Sequence, residues 1–212
     1  MPRKLKITNE QILEAAREAF LQQGFGASTL EIAQRADVSE ASIFKRFSTK
    51  EELFFAAMGI PEIPPWVSEI ESLSGKSNLK ENLIYLCHKI LEFYSEVMPR
   101  IMMVRSRGKD ISGLRDIELA PIRDVKILFT FLEREMNQDR LRSCDAKAVA
   151  HILIGSLINY VLLKQMSLQG SMATAKLEQE TFLNYEDSPT AISSFVQSIV
   201  EIIWQGIAPK HD

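Results

Sequence analysis

A chain of 212 residues, 46% hydrophobic and 25% charged, has the make-up of an ordinary soluble globular protein with room for one or two domains. A net charge of -3 excludes a nucleic-acid binder that works by bulk charge. Cys87 and Cys144 lack a CxxC partner or a His/Cys cluster, which argues against a zinc centre or a disulfide framework and fits a reducing cytoplasm. The basic start at Met1 to Lys4 has no apolar run of the signal-peptide kind. The most apolar stretch, Val149 to Leu163, is shorter than the roughly 20 residues of a membrane span and is interrupted by His151 and Asn159. It reads as a buried helix, with no membrane partner.

Prolines and glycines punctuate stretches whose apolar residues recur at three- and four-residue spacing, and no stretch alternates with period two. The fold class expected is therefore all-α. The first helix has a capping box at Thr8 and Gln11, with Ile7 and Ile12 placed for a hydrophobic staple. Ile12, Ala16 and Phe20 make its inner stripe, and Gly24 supplies a positive-φ stop. A second, short helix starts at Ser28, with Glu31 as its box partner, and ends near Asp37. A third starts after Ser39 and runs from Glu40 to Phe47, turning Ile43 and Phe47 inward. A fourth is capped by Ser48 or Thr49, each with Glu three residues on, and the sequence leaves that choice open.

Helices this short are marginal alone in water. Two of them, joined by a short turn and crossed over a longer one, form a helix-turn-helix, whose second helix enters the major groove of DNA. Ala33 is small enough for a close crossing, and Asp37 tolerates a left-handed backbone. The outer face of the third helix carries Glu40, Ala41, Ser42, Phe44, Lys45 and Arg46, short, basic or aromatic groups suited to phosphates and base edges. Lys50 opens the fourth helix, where it is placed to hold a phosphate. Charge follows the same division. Residues 1–50 hold eight Lys and Arg against six acids, a surplus of two, so the remainder carries -5.

The run from Ile7 to Phe54, through Gly24, Phe25, Ser28, Thr29, Ala33, Ala36, Val38, Ser39, Ser42, Phe44, Phe47, Lys50 and Leu53, resembles the DNA-binding head of the TetR family of regulators without a gap, over about a quarter of the chain. The resemblance implies a domain over residues 5–65, with the helix-turn-helix at 28–47. Its DNA-binding set would be Ser28, Thr29, Ser39, Glu40, Ala41, Ser42, Phe44, Lys45, Arg46 and Lys50. Two positions depart from the family. Phe44 stands where Tyr is usual and so lacks the hydroxyl for a phosphate. Arg46 stands where His or Tyr is common and binds phosphate more strongly, which implies that anchoring has moved to it.

Residues 66–212 would form a helical regulatory and dimerisation body. The spacing predicts helices at about 79–98, 100–107, 117–137, 145–168 and 189–206. The last two are apolar on more than one face. In the family, such a pair meets its copy in a homodimer, which places Leu157, Tyr160, Val161, Phe195, Ile199 and Ile202 at the interface. Leu86, Phe93, Tyr94, Met98, Met102, Met103 and Phe129 are the candidate lining of a small-molecule pocket, and Arg105, Arg107 and Lys109 would favour an anionic end on the ligand. His88 and His151 read as structural, and both thiols as inert.

The function expected is a DNA-binding transcriptional regulator: a repressor on a palindromic operator, released by a ligand. The alternative is a dimeric regulator with no small-molecule effector, controlled by a partner protein or by concentration. An enzyme is not expected. The chain has no GxSxG, no P-loop, no metal-ligand cluster and no pair of carboxylates beside a His, and no cofactor is implied.

Overall fold

The structure is a computed structural model that describes residues 8–106, 114–168 and 188–209. Its described residues form nine α-helices and one 3-10 turn, with no strand among them. The helices are α1 (Asn9–Gln23), α2 (Thr29–Arg35), α3 (Glu40–Phe44), α4 (Lys50–Ala57), α5 (Trp66–Leu73), α6 (Leu79–Ser106), α7 (Leu114–Met136), α8 (Ala146–Leu168) and α9 (Pro189–Ile207). They fall into two compact units, Met1–Pro61 with Pro99–Leu114, and Glu62–Met98 with Arg115–Asp212.

The first unit is built by caps and one buried cluster. The Thr8 hydroxyl accepts from Gln11 N, and Gln11 Oε1 accepts from Thr8 N, so the predicted capping box closes. Ile7, the outer half of the expected staple, lies outside the described residues. Gly24 ends α1 at φ 70, a conformation other residues rarely adopt, and its N–H donates to Phe20 O. Ile12, Ala16 and Phe20 are fully buried, as are Ile32 and Ile43 of the next two helices and Leu53 and Phe54 of α4. Phe54 meets Phe20 and Phe25 edge-on, at 5.1 and 5.3 Å between ring centres. Rings in this arrangement contribute beyond their buried area.

The second unit holds long helices and two buried polar knots. Tyr94 of α6 donates its hydroxyl to Asp124 Oδ2 of α7 at 2.6 Å, and Arg123 Nε donates to the other oxygen at 2.9 Å. Burial is the main cause that raises the Asp124 carboxyl above its ordinary range. Near the other end of α7, Glu135 is fully buried. It accepts from Ser74 Oγ and Gly75 N and pairs with Arg140 at 3.0 Å. Beside it, Asn82 Nδ2 donates to Leu73 O and Lys76 O.

The sequence reading needs correction in four places. α5 was not expected; its eight residues are held by the burial of Trp66 and Ile70, four apart, behind a proline-rich run that masked the pattern. The helices expected at 79–98 and 100–107 are one helix, α6, with Pro99 inside it. Proline removes a single ladder bond and here does not break the helix. α3 ends at Phe44, and the chain reaches Phe47 through continued turn bonds from Lys45, Arg46 and Phe47. By length and composition α8 meets the requirement of a membrane span over Ala146–Met166, which is longer than the Val149 to Leu163 run. In this fold Ala150, Leu153, Ile154, Leu157 and Val161 are nonetheless buried among protein side chains.

Candidate nucleic-acid interface

The site is made by the turn between α2 and α3. Asp37 adopts φ 53, its N–H donates to Gln34 O, and Val38 N donates to Ala33 O at 2.9 Å. This is the paired bonding of a Schellman stop, with Asp37 in the left-handed position that glycine usually fills. Ala33 is 1% exposed, so this small side chain is enclosed where its carbonyl receives the Val38 bond.

Caps then fix the ends. Ser39 Oγ accepts from Ser42 N and lies 2.8 Å from Ser42 Oγ, so these two predicted contact residues also hold the first turn of α3. The Thr49 hydroxyl accepts from Glu52 N, which settles the open choice in favour of Thr49, while Ser48 donates its backbone N–H to Glu52 Oε2. The expected Ser28–Glu31 box does not form. Ser28 sits at the N-cap of α2 with no side-chain cap bond. Glu31 is occupied elsewhere: Gln23 Nε2 donates to both its oxygens and Arg35 Nη2 to one. The Gln23 bond first, then the Arg35 bond, hold its carboxyl below the ordinary range.

The predicted DNA-binding residues divide by their surroundings. Ser28, Ser39, Ala41, Phe44, Lys45 and Arg46 are exposed, and Thr29, Glu40, Ser42 and Lys50 are half-buried. The Thr29 hydroxyl donates to Glu40, tying the start of α2 to the start of α3. Lys50 Nζ lies 5.0 Å from the centre of the Phe25 ring, a cation–π contact that steers the ammonium. Lys45 has no ion pair among the described residues. The inward residues of this segment, Ile43 and Phe47, are 0% and 7% exposed. One side of α3 is thus committed to the core, while the other presents small, basic and aromatic groups.

Residues 12–57 match the family described as "Bacterial regulatory proteins, tetR family". Residues 12–57 therefore carry the N-terminal segment of the TetR family. That family consists of regulators and not of enzymes. Among similar proteins, the HTH-type transcriptional regulator YvkB of Bacillus subtilis (strain 168) is 42% identical over 55 residues, 26% of this chain and 29% of YvkB. The HTH-type transcriptional regulator QacR of Staphylococcus aureus is 29% identical over 102 residues, 41% of this chain and 54% of QacR. The match therefore spans about half or less of each relative's length. In fold the chain is similar to the transcriptional regulator FadR of Bacillus subtilis in complex with stearoyl-CoA, with a TM-score of 0.57 at 16% identity over 94% of this chain and 99% of that one.

In the second unit, Leu86, Phe93, Tyr94 and Met98 are buried and Phe129 is half-buried; the Phe93 and Tyr94 rings meet edge-on at 5.4 Å. Met102 and Met103 belong to the first unit and are half-buried. Leu157, Tyr160 and Val161 are at most 5% exposed within the single chain, and Tyr160 stacks on half-buried Phe195 at 4.2 Å. Ile199 is half-buried, and Ile202 is 71% exposed. Ile152 and Met166 of α8 are also exposed, on a helix whose apolar residues are not confined to one face. Arg105 is exposed, and Arg107 and Lys109 lie outside the described residues. His88 is half-buried and His151 exposed. Burial pushes the Cys87 thiol up to about 12, which leaves it unreactive. Among the described residues no group of three or more His, Cys, Asp or Glu is placed to hold a metal ion.

Asp124 and Glu135 escaped the sequence reading. Each is an acid on an otherwise amphipathic helix, and it accepts from a partner 30 or about 60 residues away. No local signal marks such pairs.

Proposed function

We propose that this protein binds double-stranded DNA through α3 and acts in the cytoplasm as a homodimeric transcriptional repressor, released from a palindromic operator by a small-molecule ligand in the helical body. One observation carries the DNA-binding part. α2 and α3, of seven and five residues, are joined by the Asp37 stop so that Ile43 is buried while Ala41, Phe44, Lys45 and Arg46 stay exposed. A helix of this size with small residues at its start and cations at its end fits the major groove. The contact set is the one given above, with Lys45, Arg46 and Lys50 serving phosphates.

Support for a homodimer comes from the apolar residues left open on α8 and α9, namely Ile152, Met166 and Ile202. Two heads on one operator would be separated by about one turn of DNA. Support for a ligand comes from the fold shared with FadR, which was solved with stearoyl-CoA. Leu86, Phe93, Tyr94, Met98 and Phe129 would line the site. A regulator without an effector is the second reading, and it is favoured by Tyr94, whose hydroxyl is already taken by Asp124.

Selection from a random DNA library by the full-length protein tests the proposal. Enrichment of a palindrome, followed by retardation of the DNA upstream of the protein's own gene, is the expected result. Failure to enrich any sequence would overturn the DNA-binding reading. An enriched palindrome that no candidate ligand releases would favour the second.

A further inference from the structure

Among the described residues of the second unit, two buried side-chain N–H groups have no hydrogen-bond partner, Trp66 Nε1 and Arg123 Nη2. A buried donor left unmade costs free energy, more so on a charged group, and points to an acceptor that the chain itself does not supply. The rest of the Arg123 guanidinium is spent: Nε donates to Asp124 Oδ1, and Nη1 donates to Glu62 O. Glu62 lies four residues before Trp66, so Arg123 is bonded to the segment that leads into the indole. Tyr94 closes the cluster through the other Asp124 oxygen, and its ring meets Phe93 edge-on. The Arg123 side chain is 30% exposed, which gives the cluster an approach from solvent.

The charge of the missing acceptor is decided by Asp124, which is fully buried and already balances the guanidinium. A ligand carboxylate here would place a second negative charge beside it, away from water, which is costly. An uncharged carbonyl oxygen adds no charge, and its two lone pairs accept two N–H groups. Arg105, the described cation expected to favour an anion, belongs to the first unit. Buried Leu86, Phe93 and Met98 of the second unit suit an apolar remainder. We infer that Arg123 and Trp66 together hold the carbonyl oxygen of an uncharged, largely apolar ligand: a ketone, ester or amide. The inference rests on the small-molecule reading of the body, and it names the class of molecule that reading requires.

The test uses the full-length protein and three probes of matched chain, 2-octanone, octanoate and octane. Affinity is taken from the shift of the melting transition with probe concentration, which also reports whether each variant folds. Wild type is expected to bind 2-octanone about tenfold tighter than octane, the worth of a hydrogen bond to a charged donor, and tighter than octanoate. Arg123→Met keeps the stem and removes the donors. Trp66→Phe keeps a buried ring and removes only the N–H, and it serves if the first variant fails to fold. Each is expected to lose most of the preference for 2-octanone. A loss confined to 2-octanone marks a missing bond, because a merely distorted site would weaken octane too. Equal affinity of wild type for 2-octanone and octane would overturn the inference, a buried water then satisfying the donors. So would tighter binding of octanoate, or a preference that survives intact in either variant. Binding of none of the three would overturn it as well. Release of the selected operator by another compound would then leave the small-molecule reading standing, and release by no compound would take that reading with it.

Discussion

The two units of this chain solve the same problem, burying apolar helix faces, with different kinds of information. In the first unit the bonds that shape the helices are local. Thr8 bonds Gln11, Ser39 bonds Ser42, Thr49 bonds Glu52, and the Asp37 stop is complete within Ala33 to Val38. In the second unit the polar bonds that matter join distant segments, Tyr94 to Asp124 and Ser74 to Glu135. The first arrangement fixes a small rigid surface from a short stretch of sequence. The second depends on helices that must already be packed before a buried acid can find its partner.

The largest expected effects break each unit at its own centre. Phe54→Ala removes the ring on which Phe20, Phe25 and Phe55 converge and is expected to cost about 3–5 kcal/mol. Glu135→Ala leaves the Gly75 amide and Arg140 Nε without their acceptor, although Arg140 Nη2 keeps its bonds to Lys76 O and Ser77 O, and is expected to cost about 3 kcal/mol. Urea melts followed by circular dichroism measure both. Equal wild-type stability for either would remove that residue from the account.

Smaller changes sharpen the contrast. Gly24→Ala places a side chain at φ 70 where no atom stands within 4 Å, so only backbone strain, about 1–2 kcal/mol, is expected. Thr49→Ala is expected to cost about 1 kcal/mol, the usual worth of a working N-cap. Ser28→Ala, at an N-cap whose side chain makes no cap bond, should stay within about 0.5 kcal/mol. If the two serine and threonine variants lost equal stability, the assignment of the caps would be wrong.

Asp124 gives the second unit a pH signature. Its folded carboxyl is raised above the unfolded value, so the folded state holds the proton more tightly between the two. Stability is therefore expected to fall as pH rises from the ordinary carboxylate range through the raised value, and then to level off. Asp124→Asn should flatten that slope in melts taken across the range. A slope unchanged in Asp124→Asn would assign it to another group.

How much of this was legible follows from the same contrast. The capping box at Thr8, the Gly24 stop, the Asp37 turn and the inward pair Ile43 and Phe47 could be read from the sequence because each is settled within a few residues. Ser28 misled, since Glu31 is drawn to Gln23 and Arg35 by tertiary geometry. Pro99 misled because a long packed helix absorbs the loss of one bond. On α8, apolar residues on more than one face gave no means of telling inner Leu157 and Val161 from outer Ile152 and Met166.

The central claim is that the outer face of α3 meets DNA. Its most direct test is the affinity for the selected operator as a function of salt, for wild type and for Lys45→Ala/Arg46→Ala. The result expected is a loss of about 1–3 kcal/mol per side chain, with a salt slope shallower by about two for each head. The same affinity and the same slope in both proteins would contradict the account.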